Sequence, residues 1–139
     1  KKKFYFEKLL KKYSLFIHPK CKIGKNFYMV HAIGIVIGSG AVIGDNCKIY
    51  QQVTIGKEKG KFPIIGDNVT IGHKSIIHGC EIGNNTLIGD NVFIGMNAII
   101  ERNVKIGNNA IIGANAVVTR DVPDNCVAVG VPARVIKKV

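Results

Sequence analysis

The chain has 139 residues, 47% of them hydrophobic, and a formal net charge of +11. One domain is expected at this length, and no apolar stretch is long enough to cross a membrane as a helix. The charge is lopsided: residues 1–25 carry nine Lys against the single Glu7, and Arg134, Lys137 and Lys138 close the chain. Such charge draws anionic partners, but no aromatic residues are interleaved with the basic ones along the middle of the chain and no recognition motif occurs, which argues against nucleic acid.

From the N-terminus, Phe6, Leu9, Leu10 and Tyr13 stand at i, i+3, i+4 and i+7 with Lys8, Lys11 and Lys12 between them. The spacing predicts a basic amphipathic helix over 3–14, in an N-terminal segment spanning 1–17. Its expected role is to dock on the start of the repeat that begins near residue 23, and its charge also suits peripheral contact with an anionic membrane surface. His18-Pro19 ends the helical pattern, because a residue before proline is pushed out of the α region.

From Ile23-Gly24 a six-residue beat takes over. It reads Ile37, Ile43, Ile49, Ile55, then Ile65 and Ile71, and runs without a miss through Ile82, Ile88, Ile94, Ile100, Ile106, Ile112 and Val118. Small or β-branched residues fill a second slot four places on: Ala41, Cys47, Val53, Val69, Ser75, Thr86, Val92, Ala98, Val104, Ala110 and Ala116. A period of six fits neither a helix nor one long alternating strand; it fits short strands joined by tight corners, which Gly, Asn and Asp tolerate. The beat lengthens by four residues between Ile55 and Ile65, which predicts an inserted loop over 56–63 (GKEKGKFP). Residues 119–139 leave the beat and read as a tail.

The four cysteines, Cys21, Cys47, Cys80 and Cys126, are far apart with no C-x-x-C, so they form neither a zinc knuckle nor a redox motif. With no secretory apolar segment after Lys1-Lys2-Lys3, the expected location is the cytoplasm.

The hexads, the stretch from His18 to Gly56 (HPKCKIGKNFYMVHAIGIVIGSGAVIGDNCKIYQQVTIG) and the end DVPDNCVAVGVPARVI resemble the hexapeptide-repeat acetyltransferases, in the branch of serine acetyltransferases and sugar O-acetyltransferases. The resemblance implies an all-β fold: a single-stranded left-handed parallel β-helix over 18–118, with a short N-terminal helix and a C-terminal tail on the cofactor side. At about 18 residues per turn, roughly five to six coils are expected. It also implies acetyl-CoA as co-substrate, a homotrimer with grooves between prisms, and no metal. A prism filled with its own side chains leaves chemistry to loops and edges.

By the same resemblance, the histidine of Val30-His31-Ala32-Ile33-Gly34 is the general base. A hydroxyl attacks a thioester poorly until its proton is taken, and a neutral imidazole, with a reference pKa near 6.5, takes it at neutral pH. Backbone N–H groups at Gly56 or Lys57 would steady the oxyanion. Gly113 and Ala114 match a small-residue corner on the CoA side, and Arg134, Lys137 and Lys138 are candidates for its phosphates. The serine enzymes carry Asp, Asp and His where this chain has Phe16, Val30 and Phe62, so a carbohydrate hydroxyl of a surface polysaccharide or glycolipid is the expected acceptor, with Tyr28 and Phe62 stacking on a sugar. Serine itself is the alternative acceptor, and a non-catalytic CoA-binding scaffold is another reading. The stretch His73-Lys74-Ser75-Ile76-Ile77-His78 resembles the paired histidines of γ-class carbonic anhydrases, but the third histidine that zinc catalysis needs is missing, so no metal is expected there.

Overall fold

A computed structural model describes residues 2–139, with the backbone alone described at residues 2–6 and 9. The helix Lys2–Tyr13 is followed by short strands, most of two residues, which, apart from the last, pair in parallel from coil to coil. They form three sheets that are the faces of a triangular prism. The first face stacks Phe16–Ile17, Val36–Ile37, Thr54–Gly56, Ile76–His78, Phe93–Ile94, Ile111–Ile112 and Cys126–Gly130. The second runs Lys22–Ile23, Val42–Ile43, Ile64–Ile65, Glu81–Ile82, Ile99–Ile100 and Val117–Val118. The third holds Tyr28–Met29, Lys48–Ile49, Thr70–Ile71, Leu87–Ile88 and Lys105–Ile106. The result is a parallel β-helix of about six turns, as the family resemblance implies.

Strand alternation turns one residue of each pair outward and one inward. On the first face Ile37, Ile55, Ile77, Ile94 and Ile112 are register partners from coil to coil and are all 0% exposed. The second hexad slot is buried beside them, and the two hydroxyls it holds are paired: Ser75 Oγ donates to the Gly89 carbonyl at 2.8 Å and Thr86 Oγ1 to that of Gly83 at 2.7 Å. No polar side-chain atom is left buried without a partner among the described residues.

The corners explain the recurrent asparagine. Asn46, Asn68, Asn91 and Asn109 have φ of 57°, 57°, 55° and 58°, the left-handed region that Asn enters more readily than other side chains. Their amides then bond along the corner, Asn91 Nδ2 donating to Asn109 Oδ1 at 3.3 Å and Asn109 Nδ2 to Asn125 Oδ1 at 2.9 Å. Coils stack closely there: a Cβ on Gly44 would lie 2.6 Å from the Gly66 carbonyl oxygen.

The inserted loop is a tight hairpin. Glu58 and Lys61 exchange backbone hydrogen bonds of 3.0 and 2.8 Å across Lys59 and Gly60, whose φ values of 43° and 79° make a primed turn. The hairpin lays the Phe62 ring on Gly40 of the preceding coil.

Both ends of the prism differ from the sequence expectation. Phe16–Ile17, expected within the helical segment 1–17, is the first strand of the first face, and Tyr13 O accepts from Gly34 N–H at 3.1 Å where the helix meets the coil. Residues 119–139 are not strand-free: Cys126–Gly130 continues the first face, and Ala133–Lys138 folds back antiparallel on it. Cys126 and Ala128 close the core there, which is why the chain stays regular after the beat stops. In the helix, Leu10 and Tyr13 are exposed, while Phe6 and Leu9 lie outside the described side chains. No described helix is long and apolar enough to cross a membrane.

Replacing Ile94 with Ala leaves a hole in a fully packed column, and is expected to lower the unfolding free energy by about 2–5 kcal/mol. Lys105→Ala, on an exposed outward position, is expected to stay within about 0.5 kcal/mol. Urea unfolding followed by circular dichroism compares the two; equal losses would mean that the inward column does not carry the stability.

Candidate functional site

Two edges of the prism hold the candidate residues. The edge between the third and first faces carries, in one row, His31, Gln51, His73, Asp90, Asn108 and Asp124. The edge between the first and second faces carries Gly56, Lys57 and the hairpin with Phe62, then His78, and further along Gly113 and Ala114.

His31 follows the strand Tyr28–Met29 and is exposed at its corner. Its Nδ1 pairs with Gln51 Oε1 at 3.1 Å, a residue one coil further along. The arrangement suits the tautomer in which Nδ1–H donates to the amide oxygen and Nε2 keeps its lone pair. No carboxylate pairs with His31 among the described residues. Val30 beside it is half-buried and donates its N–H to the Ile49 carbonyl at 2.9 Å. Tyr28 and Ile33 flank the histidine with 57% and 56% exposure.

Two coils beyond His31, the backbone N–H of His73 donates to Asp90 Oδ1 at 2.7 Å and its Nδ1 pairs with the same oxygen at 2.8 Å, while its ring lies on Tyr50 at 4.5 Å between centroids. Partial burial pushes the Asp90 carboxyl up, but the two hydrogen bonds and the charge of His73 outweigh it and hold the group below its ordinary value. A groove of about 410 Å³ opens here between Tyr50, His73, Asp90 and Lys105.

On the other edge, the Lys57 N–H takes no backbone acceptor among the described residues, and its Nζ stands 6.0 Å from the centre of the Phe62 ring. Gly113 and Ala114 occupy the corner of the sixth coil, and a Cβ on Gly113 would meet Val129 Cγ1 at 2.7 Å, so a larger residue there would have to displace the Val129 side chain of the closing hairpin. Arg134, Lys137 and Lys138 are exposed along the last strand, opposite Val129, Val127 and Cys126.

One chain therefore does not bring the predicted site together. His31, Val30 and Tyr28 lie at or next to one edge, whereas Gly56, Lys57, Phe62, Gly113 and Ala114 lie at the other, with the whole first face between them. The two histidines of the His73–His78 stretch are parted in the same way: His78 Nδ1 stands 3.9 Å from Glu58 Oε2 on the far edge. No three His, Cys, Asp or Glu side chains gather into a metal-binding group among the described residues. The cysteines carry no chemistry at either edge; Cys47 is buried with Sγ on the Gly66 carbonyl at 3.1 Å, and burial pushes the Cys80 thiol up to about 12. Gln51 does not stand out in the sequence. Its signal lies in the register, because the first coil is 20 residues long and His31 and Gln51 are 20 apart.

Residues 85–120 match the bacterial transferase hexapeptide (six repeats) family, and residues 64–88 match the hexapeptide repeat of succinyl-transferase. The chloroplastic serine acetyltransferase 1 of Arabidopsis thaliana is 44% identical over 124 residues, which are 86% of this chain and 32% of that protein. Serine acetyltransferase of Synechococcus elongatus is 37% identical over 124 residues, 86% of this chain and 41% of that protein. Among solved structures, PerB from Caulobacter crescentus, in complex with CoA and GDP-perosamine, superposes with a TM-score of 0.67 at 25% identity, covering 87% of this chain and 56% of that one. The chain thus spans less than half the length of the curated relatives it matches. A six-residue beat wound into stacked three-strand coils, and relatives of this kind along most of its length, make the chain a member of the hexapeptide-repeat acetyltransferase family.

Proposed function

We propose that the protein is an acetyl-CoA-dependent acetyltransferase in which His31 is the general base. The observation that carries this reading is the exposed imidazole at a prism edge, held at Nδ1 by Gln51 and open at Nε2. Acetyl-CoA supplies the acetyl group as a thioester. His31 Nε2 takes the proton of the acceptor hydroxyl as its oxygen bonds to the thioester carbonyl carbon. The Lys57 N–H, which has no backbone acceptor among the described residues, is suited to receive the oxyanion. As the C–S bond breaks, the proton on His31 passes to the departing sulfur, so the base is restored without a covalent acyl-enzyme. Gly113 and Ala114 leave their edge bare of bulky side chains, which suits a slim pantetheine arm, and Arg134, Lys137 and Lys138 offer charge for phosphates nearby.

The relatives' names back serine as the acceptor better than the carbohydrate expected from sequence. One observation keeps the carbohydrate reading beside it. Phe16, Val30 and Phe62 offer no charge to the ammonium or carboxylate of an amino acid, and no carboxylate pairs with His31 among the described residues. PerB, at 25% identity, was solved with GDP-perosamine, a nucleotide-linked sugar.

The separation of the two edges supports an assembly. Both edges border the first face, where the outward residues Phe16, Val36, Thr54, Ile76, Phe93 and Ile111 are uncharged and His78 stands at the border with the hairpin edge. If this face turns to a threefold axis, the His31 edge of one copy meets the Phe62 edge of the next, and three equal sites form.

His31→Ala is expected to lower turnover by about 10²- to 10⁴-fold with CoA affinity unchanged by calorimetry. Wild-type turnover in that variant would end the base assignment. Thiol release from acetyl-CoA, measured with L-serine and with UDP- and GDP-linked sugars, decides the acceptor: release with serine alone removes the carbohydrate reading, and release with a sugar but not serine removes the other. Sedimentation velocity is expected to give about three times the 15.1 kDa chain mass, and Phe93→Glu, placing charge on the first face, is expected to give single chains. A wild-type protein that sediments as one chain would remove the trimer.

A further inference from the structure

We infer that Gln51 is the positioning residue for His31, fixing its tautomer through a neutral amide from the next coil. The inference rests on the reading of His31 as base and adds the group that makes it one.

An imidazole serves as a base at Nε2 only if its single proton sits on Nδ1, and a lone exposed ring exchanges between both forms. Gln51 Oε1 lies 3.1 Å from His31 Nδ1 and selects the useful form by accepting its N–H. Gln51 is itself placed from both sides. The next residue, Gln52, has φ of 62° and donates its N–H to the Ile33 carbonyl at 2.9 Å, and the Gln51 carbonyl accepts from Lys74 N–H at 3.1 Å. The corner carrying Gln51 is thus tied to the corner carrying His31 and to the coil beyond. The position Phe16, which by resemblance would carry an orienting carboxylate, packs its ring near His18 instead, at 6.1 Å between centroids. With that position apolar, Gln51 is the described side chain whose polar end reaches the ring.

The pairing also differs in kind from a carboxylate. An amide orients the ring through Nδ1 without adding the negative charge that a carboxylate would bring to it. The next pair in the same row shows the other arrangement, His73 held by the charged Asp90.

The test uses the full chain with ¹⁵N-labelled histidine, His31 being assigned by its loss in His31→Gln. In the wild type, the neutral ring of His31 is expected to show the Nδ1–H pattern. Gln51→Leu, which keeps bulk but removes the acceptor, is expected to shift His31 to a mixture of tautomers and to lower kcat/KM by on the order of 10- to 100-fold, less than loss of the base itself. Its CoA affinity and thermal midpoint should stay at wild-type values. Gln51→Glu is expected to keep the Nδ1–H pattern, recover most of the turnover lost in the Leu variant, and move the acid limb of the pH–rate profile to higher pH. An unchanged His31 pattern in Gln51→Leu overturns the inference and leaves the base assignment standing. A shifted pattern with wild-type turnover against serine and sugar acceptors overturns both, because the tautomer of His31 would then not matter to the reaction.

Discussion

Isoleucine resting on isoleucine, coil upon coil, is the constraint on which the rest of this molecule depends. Each coil offers its neighbour the same three inward positions, and Ile37, Ile55, Ile77, Ile94 and Ile112 show the result on one face: a column with no exposure and no space. Dispersion contacts along such a column are individually small and add up because every residue has a matching surface above and below. The interior is therefore committed to stability. Function has only the outward faces and the edges, and a single edge is too shallow to surround two substrates.

The same stacking that fills the core puts edge residues in rows. Parallel coils are about 4.8 Å apart, so a side chain at a corner finds its hydrogen-bond partner in the equivalent corner of the next coil. Asn91, Asn109 and Asn125 do this for the fold, and His73 with Asp90 and His31 with Gln51 do it with titratable groups. Orientation of a catalytic side chain in this architecture is thus a property of register. Adding or removing residues in a coil changes which partner an edge residue meets.

That property also marks what is legible in the sequence. The inward isoleucines, the small second slot, the asparagine corners and the inserted hairpin are all readable, because each repeats or visibly breaks a period of six. The first strand escapes notice because Leu15-Phe16-Ile17 has no glycine after it and follows a helical pattern directly. The last strands are hidden because Cys126–Gly130 rests on Ile111–Ile112 after a connection through Asp121-Val122-Pro123 that carries no hexad. His31 is visible through its neighbours in sequence, but Gln51 is not, since only the 20-residue length of its coil brings it opposite. The distance between the two edges is equally invisible: sequence reasoning gathers Tyr28 and Phe62 around one sugar, and the fold puts a whole face between them.

The choice of an amide at Gln51 bears on the acceptor. A carboxylate partner orients an imidazole and also stabilises the positive ring that forms when the acceptor's proton arrives. In the proposed mechanism an amide gives only the first, which shifts more of the transition-state stabilisation to donors at the oxyanion. Of the three positions where the resemblance would place charge, Val30 stands beside His31, whereas Phe62 lies a whole face away on the hairpin that carries the Glu58 carboxylate. Under the proposed mechanism, neutral orientation of the base suits an acceptor hydroxyl that is itself uncharged, a group that serine and a sugar both offer. The discrimination between them then has to come from what the neighbouring edge presents to the rest of the acceptor.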